Sequence, residues 1–231
     1  MKRIVLLLAC AVFSVHVSFL FSQQKYDYVQ QAGLNAAIFR GPEAVKYKFI
    51  YQGTPYAYSE TFAKGAVVYN GVRYNGVELN LNAHRDELHL RIPSSGIVLV
   101  LDKTLVGEFS IGRHNFVTLL GEDVPQGLVA GYYELLYNGE DVLLKKNVRM
   151  FYERLQTSGK GIFRHFDPVN KFYVIKDGAA AQISRNRDFA KIYREEKKSI
   201  KSFIKKNKLR FVDMEDKDPA FVEIMQFADK K

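Results

Sequence analysis

Hydrophobic and polar residues alternate through much of this chain, most clearly between positions 65 and 91. Asn70-Gly71 separates two short apolar runs, and this dipeptide tolerates the positive φ angles of a type I′ hairpin turn. A second Asn-Gly, at positions 75 and 76, precedes a new run with the period of a half-buried strand. The stretch therefore predicts an antiparallel meander, whose alternating apolar residues are Val77, Leu79, Leu81, Leu88, Leu90 and Ile92.

The same pattern continues to position 183. The continuous apolar run at 97–101 predicts a strand that is buried on both faces. The run at 148–155 indicates another strand, although its spacing also suits a helix. Asn138-Gly139 and Asp177-Gly178 predict two further hairpin turns. The remaining predicted strands lie at 45–51, 108–111, 115–120, 131–137, 140–146, 172–176 and 180–183.

The hydrophobic period changes at Ser184, which can cap the N-terminus of a helix. Asn207 is a suitable C-terminal stop for that helix. Asp218-Pro219 has the order of an N-cap followed by a first helical residue, and predicts a last helix. Between Ser184 and Asn207, the apolar residues at helical spacing are Phe189, Ile192, Tyr193, Ile200, Phe203 and Ile204.

These elements predict a mainly β (α+β) fold. We expect an antiparallel meander that forms a sandwich, an open barrel or a curved sheet, with two C-terminal helices packed on it. A doubly wound α/β fold is excluded because no helices alternate with the strands. The expected organisation is a signal peptide at 1–22, a β domain at 23–183 and a helical segment at 184–231.

The N-terminus has the layout of a secretory signal peptide. Lys2 and Arg3 precede an apolar run at 4–21, and Ser22 is a suitable residue before cleavage. We therefore expect export, with residence in the periplasm or at the outer membrane and no integral membrane segment after cleavage. An uncleaved membrane anchor is the alternative.

Cys10 is the only cysteine among 231 residues. Residues 7–10 resemble a lipoprotein box, so lipidation of Cys10 is an alternative to cleavage after Ser22. However, the apolar run continues well beyond the cysteine, whereas a working lipobox ends such a run. Cleavage after Ser22 leaves a mature chain with no thiol and hence no disulfide.

The positive charge is concentrated in the helical segment. Removal of Lys2 and Arg3 lowers the formal net charge from +9 to +7, and residues 185–210 alone carry +8. Export argues against nucleic acid as the partner, so we expect an envelope protein or an anionic lipid or lipopolysaccharide surface. The alternative is a solvated helix face. The lysines of this possible contact are Lys197, Lys198, Lys201, Lys205 and Lys206.

The residues with catalytic chemistry form no recognisable motif. His84-Arg85-Asp86-Glu87 and His89 are consistent with a charged turn between strands, and His114, His165 and Asp102 are isolated. We therefore assign no catalytic, cofactor or metal residue. The sequence favours a non-enzymatic binding or accessory protein of the envelope. The alternative is a hydrolase-type enzyme whose histidines and acidic residues converge only in three dimensions.

Several short segments carry a resemblance: Gly53-Thr54-Pro55-Tyr56, 65–68, Tyr74-Asn75, Asp86-Glu87-Leu88, 171–174, Lys176-Asp177-Gly178, 197–209 and Asp218-Pro219. They are similar to segments of a group of uncharacterised exported envelope proteins of Bacteroidota. The group has no established activity, so the resemblance implies an envelope location and an accessory role, and it carries over no functional residue. The chain departs from the group at 179–181, where three alanines replace the polar or aromatic residues expected there.

Overall fold

The computed structural model of the protein describes residues 33–155, 161–209 and 217–229, so the expected signal peptide and Cys10 lie outside it. Ten strands form one open antiparallel sheet. They are β2 (Ala63–Tyr69), β3 (Val72–Asn82), β4 (Glu87–Arg91), β5 (Val98–Val100), β6 (Val106–Ile111), β7 (His114–Leu119), β8 (Gly131–Asn138), β9 (Val142–Lys146), β12 (Lys171–Lys176) and β13 (Ala179–Ile183). Their spatial order is β13-β12-β9-β8-β7-β6-β2-β3-β4-β5.

A smaller sheet contains the other three strands. They are β1 (Gln52–Gly53), β10 (Arg149–Leu155) and β11 (Ile162–Pro168), in the order β1-β11-β10. β10 and β11 form a hairpin in which Phe151 lies opposite Phe166, and β1 runs parallel to β11. The mainly β, antiparallel fold with C-terminal helices is thus confirmed.

The first Asn-Gly forms the expected tight turn, and both residues have positive φ, 49° for Asn70 and 74° for Gly71. The second does not begin a new strand. β3 runs through Asn75 and Gly76, and the register with β2 shifts at this point. Gly76 has φ of 69°, so the dipeptide forms a bulge that bends one long strand.

Three other strand predictions were wrong or incomplete. Residues 45–51 are extended but belong to no strand, because their side chains pack on the small sheet instead of joining a ladder. The run at 97–101 forms β5, which is an edge strand and not one buried on both faces, and Ile97 is 42% exposed. β1 and β11 were not predicted.

The C-terminal helices are α1 (Phe189–Ile192), α2 (Lys197–Lys206) and α3 (Asp218–Ala228). The single helix predicted from Ser184 is divided at 193–196. Its expected end is confirmed because Asn207 caps α2. Asp218 is already helical, and Lys217 takes the N-cap position. Among the described residues, no helix has the length and apolar character needed to cross a bilayer.

The buried side chains form two hydrophobic clusters. The front cluster lies on β2, β3, β4, β6, β7 and β8, and it includes Leu79, Leu90 and Phe116. The rear cluster joins β9, β12 and β13 to the three helices, and it includes Phe172 and Phe221. Between the two clusters, β8 and β9 carry charged residues toward the interior.

Candidate functional site

The six histidine and aspartate groups considered in the sequence lie at separate places. Their contacts within the described residues bring no two of them within hydrogen-bond reach of each other. His84 Nδ1 lies 3.0 Å from the carbonyl oxygen of Arg149, and Asp102 accepts a hydrogen bond from the Thr104 amide at 2.9 Å. His165 lies 3.3 Å from Asp167. Each of these contacts has an ordinary structural role.

The charged turn at 84–89 is similarly dispersed. Asp86 Oδ1 and Oδ2 bind Lys146 and Lys103, each at 2.6 Å. The buried His89 lies between Glu87, at 3.0 Å, and the Tyr56 hydroxyl, at 3.3 Å. Burial lowers the pKa of His89, which keeps the ring neutral at pH 7. The role of this turn is structural, because the ion pairs of Asp86 with Lys103 and Lys146 attach it to the loop that follows β5 and to β9.

His114 belongs to a buried polar group around Glu134, which sequence reasoning missed. His114 Nδ1 lies 2.6 Å from Glu134 Oε1, and Asn147 Nδ2 donates to Oε2 at 3.0 Å. The Tyr58 hydroxyl donates a short hydrogen bond to Oε2, and its ring stacks on His114 at 3.8 Å. We call this group the Glu134 cluster. Its members are Tyr58, His114, Glu134, Lys145, Asn147 and Asp218.

The sheet register explains why this cluster is buried. Phe116, Glu134, Lys145 and Phe172 lie opposite one another on β7, β8, β9 and β12. Glu134 and Lys145 thus occupy the centre of a row whose flanking members belong to the front and rear clusters. The side chains of Glu134 and Lys145 are only 3% and 5% exposed. A charge pair therefore separates the two apolar cores.

Lys145 connects the cluster to the last helix. Its ammonium lies 2.5 Å from Asp218 Oδ2 and 3.7 Å from Glu134 Oε2. Asp218 is the first residue of α3 and precedes Pro219, so the helix N-terminus meets a carboxylate there. A buried lysine with two carboxylates nearby is compensated for the loss of hydration.

The contacts of Glu134 keep its carboxyl ionised at pH 7. Burial alone would raise the pKa of this carboxyl, but the contacts with His114, Lys145, Tyr58 and Asn147 outweigh it, and the pKa falls below its usual value. Burial and the neighbouring Glu134 anion raise the pKa of Tyr58 far above its usual value. The ionised Glu134 and the protonated Tyr58 hydroxyl therefore form a stable pair at pH 7.

The chemistry that the cluster can perform is limited because the Glu134 carboxylate already has partners. A carboxylate offers about four lone-pair sites; Tyr58, His114 and Asn147 already hydrogen-bond to Glu134, and the Lys145 ammonium lies 3.7 Å away. A general base needs an acceptor that is free to take a proton from a substrate. The cluster contains no serine or cysteine nucleophile. Its arrangement is that of a buried structural network.

A signal for this cluster exists in the sequence. Glu134 is the only charged residue in the otherwise apolar run Tyr132-Tyr133-Glu134-Leu135-Leu136-Tyr137. A strand that is apolar on both faces buries any charge it carries, and such a charge needs a partner. The identity of the partners depends on the strand order and could not be derived.

The described surface also contains shallow grooves. A groove of about 650 Å³ lies beside β13 and α1, with Lys176, Arg185 and Lys191 on its rim and Ala180 in its lining. Its cations are dispersed, and small alanine side chains supply most of its strand side. No group of three or more His, Cys, Asp or Glu side chains in the described ranges is placed to hold a metal ion.

The five lysines selected from the sequence lie on α2 and in its last turn, and all are exposed. The opposite side of α2 carries Ile200 and Ile204, which are buried in the rear cluster. Phe203 is half-buried and stacks on Phe227 at 4.1 Å. The helix therefore presents a cationic outer face while its apolar side holds it to the fold.

Comparisons with known proteins give no further assignment. No protein-family model matches the chain, and neither the curated proteins nor the solved structures contain a match.

Proposed function

We propose that the protein is an exported, non-enzymatic binding or accessory protein that contacts an anionic envelope surface through α2. The observation that carries this proposal is the concentration of unpaired lysines on α2, where five of the ten residues are lysines. Lys103, Lys145, Lys146, Lys176 and Lys191 each form an ion pair. By contrast, the lysines at 197, 198, 201, 205 and 206 are exposed, and none forms an ion pair with another described residue.

The proposed ligand is a phosphate-bearing surface, either a phospholipid bilayer or lipopolysaccharide. Each lysine near an anionic membrane contributes about 1 kcal/mol of binding free energy. Three lysines therefore contribute about 3 kcal/mol, which corresponds to a change in affinity of roughly a hundredfold. Salt weakens this attraction because the screening length is about 10 Å at 0.1 M ionic strength.

The test is binding of the protein to vesicles with and without anionic phospholipid. The variant Lys198→Gln, Lys201→Gln, Lys205→Gln should bind anionic vesicles about a hundredfold more weakly and should keep the thermal stability of the parent. Lipopolysaccharide micelles form a second arm that distinguishes the two phosphate sources.

A matched control removes the same charge elsewhere. Lys46, Lys48 and Lys64 are exposed and lie outside the helices. Their triple change to Gln should leave vesicle binding within a few fold of the parent. Equal loss in both triple variants would show that only net charge matters. Full binding by the α2 variant in every arm would show that its lysines form an ordinary solvated face.

The enzyme alternative rests on the Glu134–His114 contact. The Glu134 carboxylate, which already accepts hydrogen bonds from Tyr58 and Asn147 and contacts His114, and the dispersed remaining histidines support the binding proposal instead. A panel of ester, phosphate-ester and glycoside substrates tests the alternative directly. Turnover that Glu134→Gln and His114→Ala both abolish, while the fold is retained, would favour the hydrolase.

A further inference from the structure

Exposed apolar side chains concentrate around the small sheet. Most of the large hydrophobic residues that the described surface exposes lie on its hairpin, at its base or in the segment packed on it. Leu155 is 79% exposed, and Met150 and Tyr152 are each 43% exposed. Met150 and Tyr152 lie on one face of β10, since alternate residues of a strand share a face. The exposed apolar residues around the small sheet are Val45, Ile50, Met150, Tyr152, Leu155, Ile162 and Val169.

The edge strands of the two sheets differ in how far other backbone groups cover them. Residues 42–44 cover β5, with backbone hydrogen bonds to Val98 and Val100. Gln126 covers β13 through its bond from the Ala180 amide at 2.8 Å. β1 is only two residues long. Along β10, the only outer backbone contact from the described residues runs from the Arg149 amide to Ala83 at 3.2 Å, and no other described backbone group bonds this edge.

The direction of that contact fixes which backbone groups are open. The Arg149 amide points away from β11, and the N–H and C=O groups of an antiparallel strand alternate between its two sides. The ladder with β11 is regular from Arg149 to Leu155. Phe151, Glu153 and Leu155 therefore present their backbone groups at the open edge. An unpaired edge of this kind accepts an added strand.

We propose that a second copy of this chain occupies the edge, with the two β10 strands antiparallel about a two-fold axis at Tyr152. Contacts of this type are self-complementary. In this register Phe151 lies opposite Glu153 of the second copy and exchanges both backbone hydrogen bonds with it. The symmetric pair repeats the exchange. The Arg149–Ala83 contact ends the pairing beyond Met150.

The charges of β10 select the second copy as the occupant. Within the stretch that pairs, residues 150–154, Glu153 and Arg154 are adjacent and of opposite sign, so this stretch carries no net charge. With the two-fold axis at Tyr152, Glu153 lies opposite Phe151 of the second copy, and Arg154 lies opposite Met150. Like charges therefore do not meet across the contact. Glu153 keeps its 2.7 Å ion pair with Arg164 of its own chain. The two Tyr152 rings meet on one face, and paired aromatics stabilise adjacent strands.

The first test separates the backbone from the side chain of Glu153. Glu153→Pro removes an outward amide that bonds no described residue, and proline is tolerated at such edge positions. Glu153→Gln loses the same ion pair but keeps the amide. Sedimentation equilibrium should show a dimer for the parent and for Glu153→Gln. Glu153→Pro should dissociate at concentrations at least tenfold higher than the parent does.

The second test determines the register between the two β10 strands by disulfide cross-linking. It does not require the proline variant to fold. Residues opposite each other in a non-hydrogen-bonded antiparallel pair have Cα atoms about 4.5 Å apart, which a disulfide can span. In a Cys10→Ser background, Tyr152→Cys should form a covalent dimer on oxidation. Arg154→Cys, displaced along the strand, should not. A monomer at all concentrations, a lack of Tyr152→Cys cross-linking, or equal cross-linking of both variants would each overturn the proposal.

Discussion

The Glu134 cluster makes a quantitative prediction through the change Glu134→Gln, which preserves shape and removes charge. The amide can still accept from Tyr58 and Asn147 through its oxygen. Its nitrogen can face His114 Nδ1, since the imidazole can exchange tautomers. Lys145 then keeps only the Asp218 carboxylate, at 2.5 Å. The substitution therefore isolates the value of the buried negative charge.

The magnitude follows from the number of charge-assisted contacts. A hydrogen bond to a charged group contributes about 1.5–3 kcal/mol, against about 0.5–1.5 kcal/mol for a neutral one. Converting the three hydrogen bonds to neutral ones costs roughly 3–4 kcal/mol, and the smaller desolvation of a neutral amide returns part of this. We expect the free energy of unfolding to fall by about 2–3 kcal/mol. Glu134→Ala, which leaves the donors without an acceptor, should cost about 3–5 kcal/mol.

The lowered pKa of Glu134 predicts how the free energy of unfolding changes with pH. The folded pKa of Glu134 lies below its ordinary value of about 4.5. A lowered carboxyl pKa contributes stability that is present above the unfolded pKa and is lost as the pH falls through the folded pKa. The parent should therefore lose stability below about pH 4.5. Glu134→Gln has no proton to take up there, so the difference between the two proteins should shrink.

Urea unfolding followed by far-ultraviolet circular dichroism and tyrosine fluorescence measures this, since the chain has no tryptophan. Titrations at pH 7, 5 and 3.5 give the difference in unfolding free energy at each pH. Lys145→Met, alone and combined with Glu134→Gln, completes a double-mutant cycle. The coupling free energy between Glu134 and Lys145 should lie within about 0.5–3 kcal/mol. A difference that stays constant over this pH range, or a coupling of zero, would refute an ionised Glu134 held by its neighbours.

Two further changes test the attachment of the helices. Phe203→Ala should lower the free energy of unfolding by about 1–3 kcal/mol, less than for a fully buried ring, because Phe203 is half-buried against Phe227; a loss above 4 kcal/mol in urea titration would contradict this. Asp229 accepts hydrogen bonds from the Tyr137 hydroxyl and from the amides of Glu140 and Asp141. Asp229→Ala should cost about 1–2 kcal/mol, measured as a lower Tm, and an unchanged Tm would show that water replaces the carboxylate.

The sequence predicted those parts of the fold that depend on neighbouring residues. The hairpin at Asn70-Gly71 followed from the positive φ angles of its turn, and the capping role of Asn207 from local helix chemistry. The bulge at Gly76 was misassigned because an Asn-Gly in the middle of a strand has the same local chemistry as one in a turn. Its role was decided by the pairing of β3 with β2.

Long-range pairing also explains the missed strands. β11 pairs with β10 and with β1, which is more than a hundred residues earlier in the chain, so its partners cannot be inferred from its own composition. The run at 97–101 has the composition of a central strand. It lies at the edge of the sheet because only β4 pairs with it, and residues 42–44 cover its outer side with backbone contacts. Its apolar composition therefore does not distinguish a covered edge strand from a central one.

The lysines show why residue type alone could not separate structure from function. Lys145 lies in the interior because β9 follows β8 in the sheet and places it beside Glu134, whereas Lys201 lies on the outer face of a helix whose other side is apolar. The first loses its hydration and requires carboxylates, so its charge stabilises one arrangement of strands and helix. The second keeps its hydration and has no ion-pair partner among the described residues. Its charge contributes nothing specific to the fold and remains available for an anionic surface.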